Sequence, residues 1–389
     1  MKVVIVGGGF GGVKTALGLA KDDKLQVTLV SDRDHFLFYP ALYATATGRS
    51  RRQSIIPISE MLAGSRVKFI QDTMTSLDTE RHIVITNDHQ LPYDRVVLAL
   101  GVVTSYFGIE GLDKYSYSIK SAHEIYRFKR HLHDELTSEH QFDKNYIIVG
   151  AGPTGVELSA AMGHYLKRIA KKHKIRQRTV HLSLVEAAPR VLPRMSERAS
   201  EMVEKQLKKL GVKVMTNKKV ESEDDDSIII SGKDIPSKTV VWTSGVANSP
   251  FFAEHSDIFR LAKNGRVEVD EHLKVSERVY VIGDNASTPF TGLAQTAIHD
   301  AMFVTKAIRA EAHKRPLPTY RAKKQPVVIP VGENWAIFEF GPLRLGGFMA
   351  SMVRRAAGFV GYTDYFPVTT AFKLFLSEDD LEEECSICK

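Results

Sequence analysis

Cysteine is almost absent from this chain. The 389 residues contain two, Cys385 and Cys388, and both lie among the last five. A framework of disulfides is therefore excluded, and a reducing compartment is expected. The pair has CxxC spacing, but no further zinc ligands stand near it in the sequence, so we expect no metal site. We interpret the two residues as thiols in an acidic end of the chain.

Long apolar runs are also missing. No window of about 18 uncharged apolar residues occurs, which argues against a membrane-spanning helix. The first residues already have the pattern of a core strand, so we expect no signal peptide. The hydrophobic content of 43% is nevertheless sufficient for the cores of two or three domains.

Basic residues are in excess, with a net charge of +7 and a pI near 9.1. Part of this excess lies in the run KRIAKKHKIRQR, Lys167–Arg178. Because the run continues a predicted helix, we interpret it as a solvated helix face. Attraction to anionic lipid is the second interpretation, and nucleic acid is not an expected partner.

A glycine-rich turn occurs twice in the chain, in VVIVGGGFGG and in YIIVGAGPTG. Both copies have GxGxxG spacing, after an apolar strand and before a predicted helix. In this motif the first glycine permits a tight turn, the second lets the backbone approach a pyrophosphate, and the third lets the helix pack on its strand. The two motifs therefore predict two bound dinucleotides. Their glycines are Gly7, Gly9 and Gly12 in the first copy and Gly150, Gly152 and Gly155 in the second.

A second strand follows each motif and ends at an acidic residue, Asp32 in the first case and Glu186 in the second. A carboxylate there can accept hydrogen bonds from adenosine ribose hydroxyls and repels a 2′-phosphate, so Glu186 favours NADH over NADPH. Two later strands, VVLALG and VVWTSG, end in Gly101 and Gly245 and would close the two mononucleotide-binding halves.

Another buried strand, after the second unit, ends in Gly283 and Asp284, and a helix is predicted from about Gly292 to Ala312. An aspartate in this place can hydrogen-bond the ribityl hydroxyls of a flavin, while the helix dipole faces the negative end of the flavin. The first domain would then be discontinuous, with the second inserted in it.

The sequence therefore predicts an α/β fold with two Rossmann-like dinucleotide-binding domains. The predicted ranges are 1–112 with 262–330 for the FAD-binding domain, 113–261 for the NAD-binding domain, and 331–389 for a C-terminal segment.

In the order of its motifs the chain resembles the type II NADH:quinone oxidoreductases, which belong to the flavoproteins with two dinucleotide-binding domains. The resemblance covers about residues 1 to 340 and rests on VGGGFGG, FLFYPALYATATG, LALG, VGAGPTGVEL, VEAAPRVLP, VVWTSGV, VYVIGDNA and LAQTAIHDA. It implies FAD in the first domain, NADH in the second, and peripheral attachment to the cytoplasmic face of a membrane. The implied reaction is hydride transfer from NADH to FAD and then two-electron reduction of a membrane quinone, without proton pumping.

The resemblance also implies roles for individual residues. The first glycine turn would hold the FAD pyrophosphate and Asp284 the ribityl chain, while the second turn and Glu186 would hold NADH. Ala294 and Gln295 would lie against the flavin ring, and Glu157 would lie between nicotinamide and flavin. The alternative for Glu157 is an acid in the first turn of a helix that complements the helix dipole.

Two positions depart from the family pattern. The strand end that usually carries the flavin-side ribose acid is Ser31 here, with Asp32 one place later. On the quinone-side helix, His299 and Asp300 stand where the family usually has a Gln-Gln pair. Because a quinone must gain two protons, we expect His299 to be the proton donor and Asp300 to orient it; the alternative is a packed or solvated helix histidine.

The segment from about residue 341 has apolar residues at helical spacing, from Leu345 to Val360, with Arg344, Arg354 and Arg355 available to meet anionic lipid. We expect this segment to dock on the cytoplasmic membrane surface, and a core or homodimer interface is the alternative. Beyond a break at Pro367 the apolar set continues with Phe372, Phe375 and Leu376, and Phe366 precedes the break.

Two other functions stay open at this point. One is a soluble NADH-dependent flavoprotein reductase with a diffusible acceptor, and the other is a flavin redox sensor related to apoptosis-inducing-factor-like proteins. The thiol-relay mechanisms of disulfide reductases and sulfide:quinone reductases are excluded for residues 1 to 384, because this range contains no cysteine.

Overall fold

The computed structural model describes residues 1–135, 143–175 and 180–382. Cys385, Cys388 and the end of the basic run therefore lie outside the described residues.

Short strands are the most numerous regular elements in these ranges. They are β1 (Lys2–Val6), β2 (Gln26–Ser31), β3 (His35–Leu37), β4 (Ile55–Pro57), β5 (Lys68–Gln71), β6 (Met74–Asp78), β7 (Ile83–Thr86), β8 (Gln90–Pro92), β9 (Arg95–Leu98), β10 (Val102–Thr104), β11 (Tyr146–Val149), β12 (Leu182–Val185), β13 (Val212–Met215), β14 (Val220–Glu223), β15 (Ser227–Ile230), β16 (Lys233–Pro236), β17 (Thr239–Trp242), β18 (Val246–Asn248), β19 (Lys274–Ser276), β20 (Val279–Val281), β21 (Val327–Pro330), β22 (Ala336–Phe340) and β23 (Leu343–Gly347).

Helices connect and cover these strands. They are α1 (Phe10–Leu19), α2 (Leu42–Ala46), α3 (Ile58–Leu62), α4 (Leu112–Tyr115), α5 (Ala122–Asp134), α6 (Pro153–Lys172), α7 (Glu197–Lys209), α8 (Pro250–Glu254), α9 (Ala294–Ala312), α10 (Phe348–Thr363) and α11 (Val368–Leu376).

The first sheet has the order β19-β20-β9-β1-β2-β5, and its strands are parallel except for β19. Its central strand, KVVIV, is apolar almost throughout because both faces of a parallel sheet are covered. Val3 and Ile5 pack with α1 and α9 on one face, whereas Val4 and Val6 pack on the other face. The first glycine turn follows β1 directly, so it lies at the carboxyl edge of this sheet.

The second sheet has the order β13-β12-β11-β17 and is parallel throughout. Its central strand repeats the pattern of β1. Tyr146 and Ile148 pack with α5 and α6, and Ile147 and Val149 pack on the face that carries the meander β14-β15-β16. The second glycine turn therefore stands at the carboxyl edge of its own sheet.

The chain leaves the first sheet after β9, builds the second sheet, and returns to add β20 and β19 to the first. This is the predicted α/β class, two Rossmann-like units with the second inserted in the first, and it is confirmed. The antiparallel pair of β10 with β18 joins the outgoing and returning segments. The residue numbers of the domain boundaries remain predictions.

The C-terminal segment packs against both units. Its meander β21-β22-β23 adds Ile329, Val331 and Ile337 to the core of the second unit. Tyr362 of α10 and Tyr365, in the turn between α10 and α11, belong to the core of the first. The Tyr365 hydroxyl donates to the Phe10 carbonyl oxygen at 2.9 Å, at the start of α1.

The expected helix over Leu345–Val360 is wrong at its beginning. Leu345 lies in β23, and α10 starts at Phe348. Gly347 has a φ of +105°, a conformation that L side chains rarely adopt, and it separates strand from helix. Phe366 is also buried in the core of the first unit rather than presented on the outer face.

An apolar outer face remains on this segment. Large side chains that are at least half exposed include Phe348, Met349, Met352, Val360, Val368, Phe372 and Leu376. Among the described residues, no helix combines the length and apolar content needed to cross a bilayer.

Tyr362 anchors α10 on the first unit, and we expect its replacement to be costly. It is 1% exposed, stacks on Phe38 with ring centroids 4.5 Å apart, and donates to the Gln53 carbonyl oxygen at 2.8 Å. Tyr362→Ala should lower the free energy of unfolding by about 3–5 kcal/mol, because it leaves a cavity in the core. Tyr362→Phe keeps the ring and should lose only about 1 kcal/mol. Urea unfolding followed by circular dichroism measures both, and equal losses would show that α10 does not depend on this ring.

Candidate active site

The first glycine turn is a close contact between backbone segments. A Cβ at Gly7 would collide with the Ala99 carbonyl oxygen after β9, and a Cβ at Gly12 would collide with the carbonyl oxygen of Gly7 itself. A Cβ at Gly9 would meet no atom within 4 Å, so the backbone there is open to an approaching ligand. Gly9 is also the N-cap of α1, whose first turn contains no acidic residue. The turn therefore offers free amides and a positive helix end to a phosphate.

The second turn repeats this geometry in the inserted unit. A Cβ at Gly150 would collide with the Ser244 side chain after β17, and one at Gly155 would collide with the Gly150 carbonyl oxygen. Gly152 is open in the same way as Gly9, and it caps α6. Both turns thus fit a dinucleotide pyrophosphate.

Glu186 is held at the edge of the second turn. Its carboxylate accepts from the Ala151 amide at 2.7 Å and from the Ala188 amide at 2.8 Å. These two hydrogen bonds fix the carboxylate directly after β12, beside the residue between the first two glycines of the turn. This is the place from which an acid can reach an adenosine ribose.

The corresponding place in the first unit is shared by two residues. Ser31 ends β2, and a Cβ at Gly8 would lie 2.5 Å from its Oγ, so Ser31 lies directly beneath the turn. The Asp32 side chain is 59% exposed and lies 3.4 Å from Nε of Arg33. Asp32 is therefore free to move toward a ligand, whereas Ser31 is packed.

Asp284 lies at the carboxyl edge of the first sheet, beyond β20. Its Oδ1 accepts from the Gly292 amide at 3.0 Å, which closes the loop that leads to α9. The helix begins at Ala294, which is half-buried, and its next residue, Gln295, is exposed. Asp284, Ala294 and Gln295 thus meet at one end of α9, as the resemblance implies.

His299 and Asp300 have different partners. His299 Nε2 lies 2.9 Å from the Arg321 carbonyl oxygen. Asp300 is fully buried, and accepts from the Tyr320 hydroxyl at 2.6 Å and from the Gly283 amide at 3.0 Å. The expectation that Asp300 orients His299 is therefore wrong: consecutive helix residues point about 100° apart, and Asp300 faces the core, where it holds the turn before Asp284.

Sequence reasoning missed Asn285, which is fully buried between the two units. Its amide group donates to the Gly101 carbonyl oxygen at 2.6 Å and to Asn248 Oδ1 at 2.7 Å, and its Oδ1 accepts from the Gly101 amide at 2.9 Å. Gly101 has a φ of +71°, and Gly245, at the matching strand end, has one of +65°. Asn285 directly follows the Gly-Asp pair that the sequence analysis singled out. Its hydrogen-bond partners are more than 35 positions away in the sequence, so no local pattern indicates its role.

Glu157 lies in the second turn of α6 and is not an N-terminal cap. Burial raises the pKa of its carboxyl to about 8, although the Arg354 guanidinium acts in the opposite direction. Arg354 comes from α10 and donates to Glu378 Oε2 at 3.0 Å. At neutral pH the Glu157 carboxyl is therefore mostly protonated, and it can release a proton near that pH.

A cavity of about 250 Å³ lies between α2, α6 and α10. The cavity does not touch Glu157 itself, but two residues in its wall, Tyr43 and Arg354, interact electrostatically with the Glu157 carboxyl. Its wall includes Tyr43, Gln53, His164 and Arg354. His164 is two turns beyond Glu157 on the same face of α6 and is exposed at the surface. Gln53 is 1% exposed, and its Nε2 has no hydrogen-bond partner among the described residues. A polar cavity therefore connects the neighbourhood of Glu157 with the surface.

Residues 1–302 match the family model for pyridine nucleotide-disulphide oxidoreductases. The chain belongs to this family. The predicted enzyme class, an oxidoreductase, is confirmed, and the predicted cofactors, FAD and NADH, agree with the membership.

Within this family, several curated relatives bear the name implied by the sequence motifs. The chain is 29% identical over 386 residues to the type II NADH:quinone oxidoreductase Ndh of Mycobacterium tuberculosis, which covers 90% of this chain and 82% of the relative. It is 26% identical over 331 residues to the enzyme of the same name from Staphylococcus haemolyticus, with 79% and 82% covered. The resemblance to that group is therefore confirmed.

Two solved structures share the fold. The structure of NDH2 from Plasmodium falciparum in complex with NADH has a TM-score of 0.86 and 21% sequence identity, and 97% of each chain is covered. The sulfide:quinone oxidoreductase of Aquifex aeolicus has a TM-score of 0.77 and 21% identity, with 99% of this chain and 93% of the other covered.

The buried Glu157 carboxyl predicts a pH dependence of stability. Because its pKa is higher in the folded protein than in the unfolded chain, the folded protein retains a proton that the unfolded chain releases between about pH 4.5 and pH 8. The contribution of Glu157 to stability therefore falls as the pH rises through this window. Glu157→Gln should remove that loss, so the Tm of the variant minus the Tm of the wild type should grow from pH 5 to pH 8 and then level off.

Differential scanning fluorimetry across this pH range measures the effect. Glu201→Gln, at an exposed position of α7, serves as the control and should give a difference that does not change with pH. A flat difference for Glu157→Gln as well would mean that the carboxyl is ionised in the folded protein at neutral pH.

Proposed function

We propose that this protein is an FAD-dependent NADH:quinone oxidoreductase that reduces quinone without pumping protons. The observation that carries the proposal is the pair of equivalent glycine turns, each open at its middle glycine, on two units of which one is inserted in the other. The names of the curated relatives support the acceptor. The absence of pumping rests on the resemblance to that group.

The first unit would hold FAD. Gly7, Gly9 and Gly12 bring the backbone and the start of α1 to the pyrophosphate, and Asp32 is the exposed carboxylate available to the ribose. Asp284 would hydrogen-bond the ribityl chain, and the N-terminal end of α9 with Ala294 and Gln295 would face the ring. The bound FAD would accept a hydride from NADH and pass two electrons to the quinone.

The second unit would hold NADH. Gly150, Gly152 and Gly155 receive its pyrophosphate at the start of α6, and the fixed carboxylate of Glu186 accepts from the ribose hydroxyls. Gly101 and Gly245 shape the turns where the two units meet. The backbone contact of the Ser105 amide with the Gly245 carbonyl oxygen, at 3.2 Å, joins these turns.

Glu157 would supply a proton at the junction of the two units. Its carboxyl is protonated at neutral pH because of burial, and the cavity beside it offers a polar route for reprotonation from the surface. His299 remains a second candidate donor, oriented by the Arg321 carbonyl oxygen instead of Asp300. The overall reaction of NADH, one proton and a quinone to NAD⁺ and quinol takes one proton from the surroundings, because the hydride carries the other hydrogen. Glu157 and His299 are therefore alternative donors of that proton.

The acceptor is unlike that of the thiol-dependent members of the family. Residues 1 to 384 contain no cysteine, so a disulfide beside the flavin cannot relay electrons. A direct two-electron acceptor such as a quinone fits this composition.

The apolar face of α10 and α11 would dock the protein on the cytoplasmic membrane surface. Phe348, Met349 and Met352 are 62%, 65% and 52% exposed and lie together at the start of α10. Such a face has the composition of an interfacial helix that dips into the headgroup region. A quinone dissolved in the same lipid would then be near its site.

A stopped-flow experiment tests whether a quinone is the electron acceptor. The purified protein is reduced anaerobically with NADH, a short-chain quinone is injected, and flavin absorbance is followed. Reoxidation at the catalytic rate is the expected result. A flavin that stays reduced until oxygen or a protein acceptor is added would contradict the proposal and favour a soluble reductase or a redox sensor.

The same instrument tests Glu186. Glu186→Arg should reduce the preference for NADH over NADPH, measured as the rate of flavin reduction, by at least about tenfold. The substitution replaces an acceptor of ribose hydrogen bonds with a cation that attracts a 2′-phosphate. The rate of flavin reoxidation by the quinone should not change. Glu201→Arg, on the exposed side of α7, is the control with the same change of charge, and an equal change in both variants would remove Glu186 from the ribose.

Membrane docking through α10 predicts a loss of vesicle binding when the apolar side chains of its outer face are replaced. A triple variant in which serine replaces Phe348, Met349 and Met352 should lose most of its binding to lipid vesicles. It should retain turnover with NADH and a short-chain quinone, since these side chains lie on the outer face. Tyr126→Ser, at a 46% exposed position of α5, is the control and should bind as the wild type does. A triple variant that binds vesicles normally but changes from dimer to monomer in analytical ultracentrifugation would identify the face as a homodimer interface.

A further inference from the structure

A basic groove of about 870 Å³ lies between α1 and α9, outside the nucleotide turns. Its titratable lining residues are one carboxylate, one histidine and four lysine or arginine residues. They are Asp22, Lys14, Lys306, Arg309, His313 and Arg315. The groove therefore carries a clear excess of positive charge.

Only part of this charge is balanced within the groove. Asp22 Oδ2 lies 2.9 Å from His313 Nε2 and 3.3 Å from Arg309 Nε. Burial acts against ionisation of Asp22, but hydrogen bonds from His313, the Lys24 amide and Arg309 lower its pKa to about 2, so it stays ionised. Asp22 thus holds the Arg309 and His313 side chains in place and forms no ion pair with the other basic residues of the groove.

Lys306 and Arg315 are exposed, and neither forms an ion pair or side-chain hydrogen bond with any residue of the described ranges. They lie on the same groove as the organised pair of Arg309 and His313. Together they present ammonium and guanidinium donors to one volume, which is the donor set that binds phosphate groups.

The arginines of the C-terminal segment are unlike these residues, because each already has a carboxylate. Arg344 pairs with Glu339 at 3.2 Å, Arg354 with Glu378 at 3.0 Å, and Arg355 with Asp379 at 3.0 Å. The sequence suggested that these three would meet anionic lipid. Because their charges are matched inside the protein, the unmatched cations of the groove are better placed for that role.

The groove adjoins the junction between α10 and α11. Lys14 lines the groove, and its Nζ lies 2.6 Å from Oδ1 of Asp364, the residue that caps α10. Four residues later α11 begins at Val368, which is 66% exposed. Met302, 58% exposed, adds an apolar side chain to the groove itself.

From this position and charge we propose that the groove between α1 and α9 binds the phosphate headgroups of anionic phospholipids when the apolar face enters the bilayer. The inference deepens the proposed function, since it rests on membrane docking through α10 and α11. The apolar face supplies insertion, and the groove supplies selectivity for anionic lipid.

The test uses the full-length flavin-loaded protein and two kinds of vesicle, phosphatidylcholine alone and phosphatidylcholine mixed with phosphatidylglycerol. Lys306→Glu with Arg315→Glu should weaken binding to the anionic vesicles by at least about 25-fold, since each basic residue near such a surface contributes about fivefold. Binding to phosphatidylcholine alone should be unchanged. The weakening should shrink as salt is raised.

Lys213→Glu with Lys263→Glu is the matched control. It makes the same change in net charge at exposed positions in β13 and in the loop before Val267. An equal loss in both double variants would show that only the overall charge matters, and no loss in the groove variant would show that the groove binds no headgroup. Circular dichroism and Tm on each variant identify any loss that comes from misfolding.

The other outcomes separate this proposal from the ones on which it rests. Wild-type binding that is equal for the two vesicle types overturns the headgroup site while membrane docking stands. No binding to either vesicle overturns both docking and the groove. Turnover with NADH and a short-chain quinone, measured on the same samples, reports the proposed reaction independently, because that quinone does not have to be delivered by lipid.

Discussion

The contact between the first and third glycine of each turn is the constraint on which the rest of the structure depends. Gly12 lies against the carbonyl oxygen of Gly7, and Gly155 lies against that of Gly150, so closely that a Cβ would collide in each case. The contact brings helix and strand together and directs the amino terminus of the helix at the carboxyl edge of the sheet. Because it occurs in both units, two phosphate-binding edges are built in one chain and can face a common reaction zone.

Much of this arrangement could be predicted from the sequence, because the features that determine it are local. Strand, glycine turn and helix lie within 18 consecutive residues in the first unit and 27 in the second, and the acid Glu186 follows at the end of the next strand of the second unit. The inserted topology could also be predicted, since a buried strand ending in Gly283 and Asp284 comes after the second unit is complete.

The candidate site could be predicted less well where contacts are distant in the sequence. Asn285 joins Gly101 and Asn248, and Arg354 reaches Glu157 from a helix almost 200 residues later, so no local pattern indicates either contact. Helix rotation explains the error at Asp300, which is directed into the core although its neighbour His299 is not. Arg354 and Arg355 show the same limit, because their carboxylate partners Glu378 and Asp379 come from beyond α11.

The C-terminal segment packs its meander on the inserted unit and its two helices on the first unit. Any rotation of one unit against the other would have to disrupt packing at both places, and the amide of Asn285 would lose its partners as well. The C-terminal segment therefore fixes the separation between the two units and their glycine turns. If this segment also contacts lipid, as proposed, a change in bilayer composition would act mechanically on the spacing of the two turns, without any ligand entering the nucleotide sites.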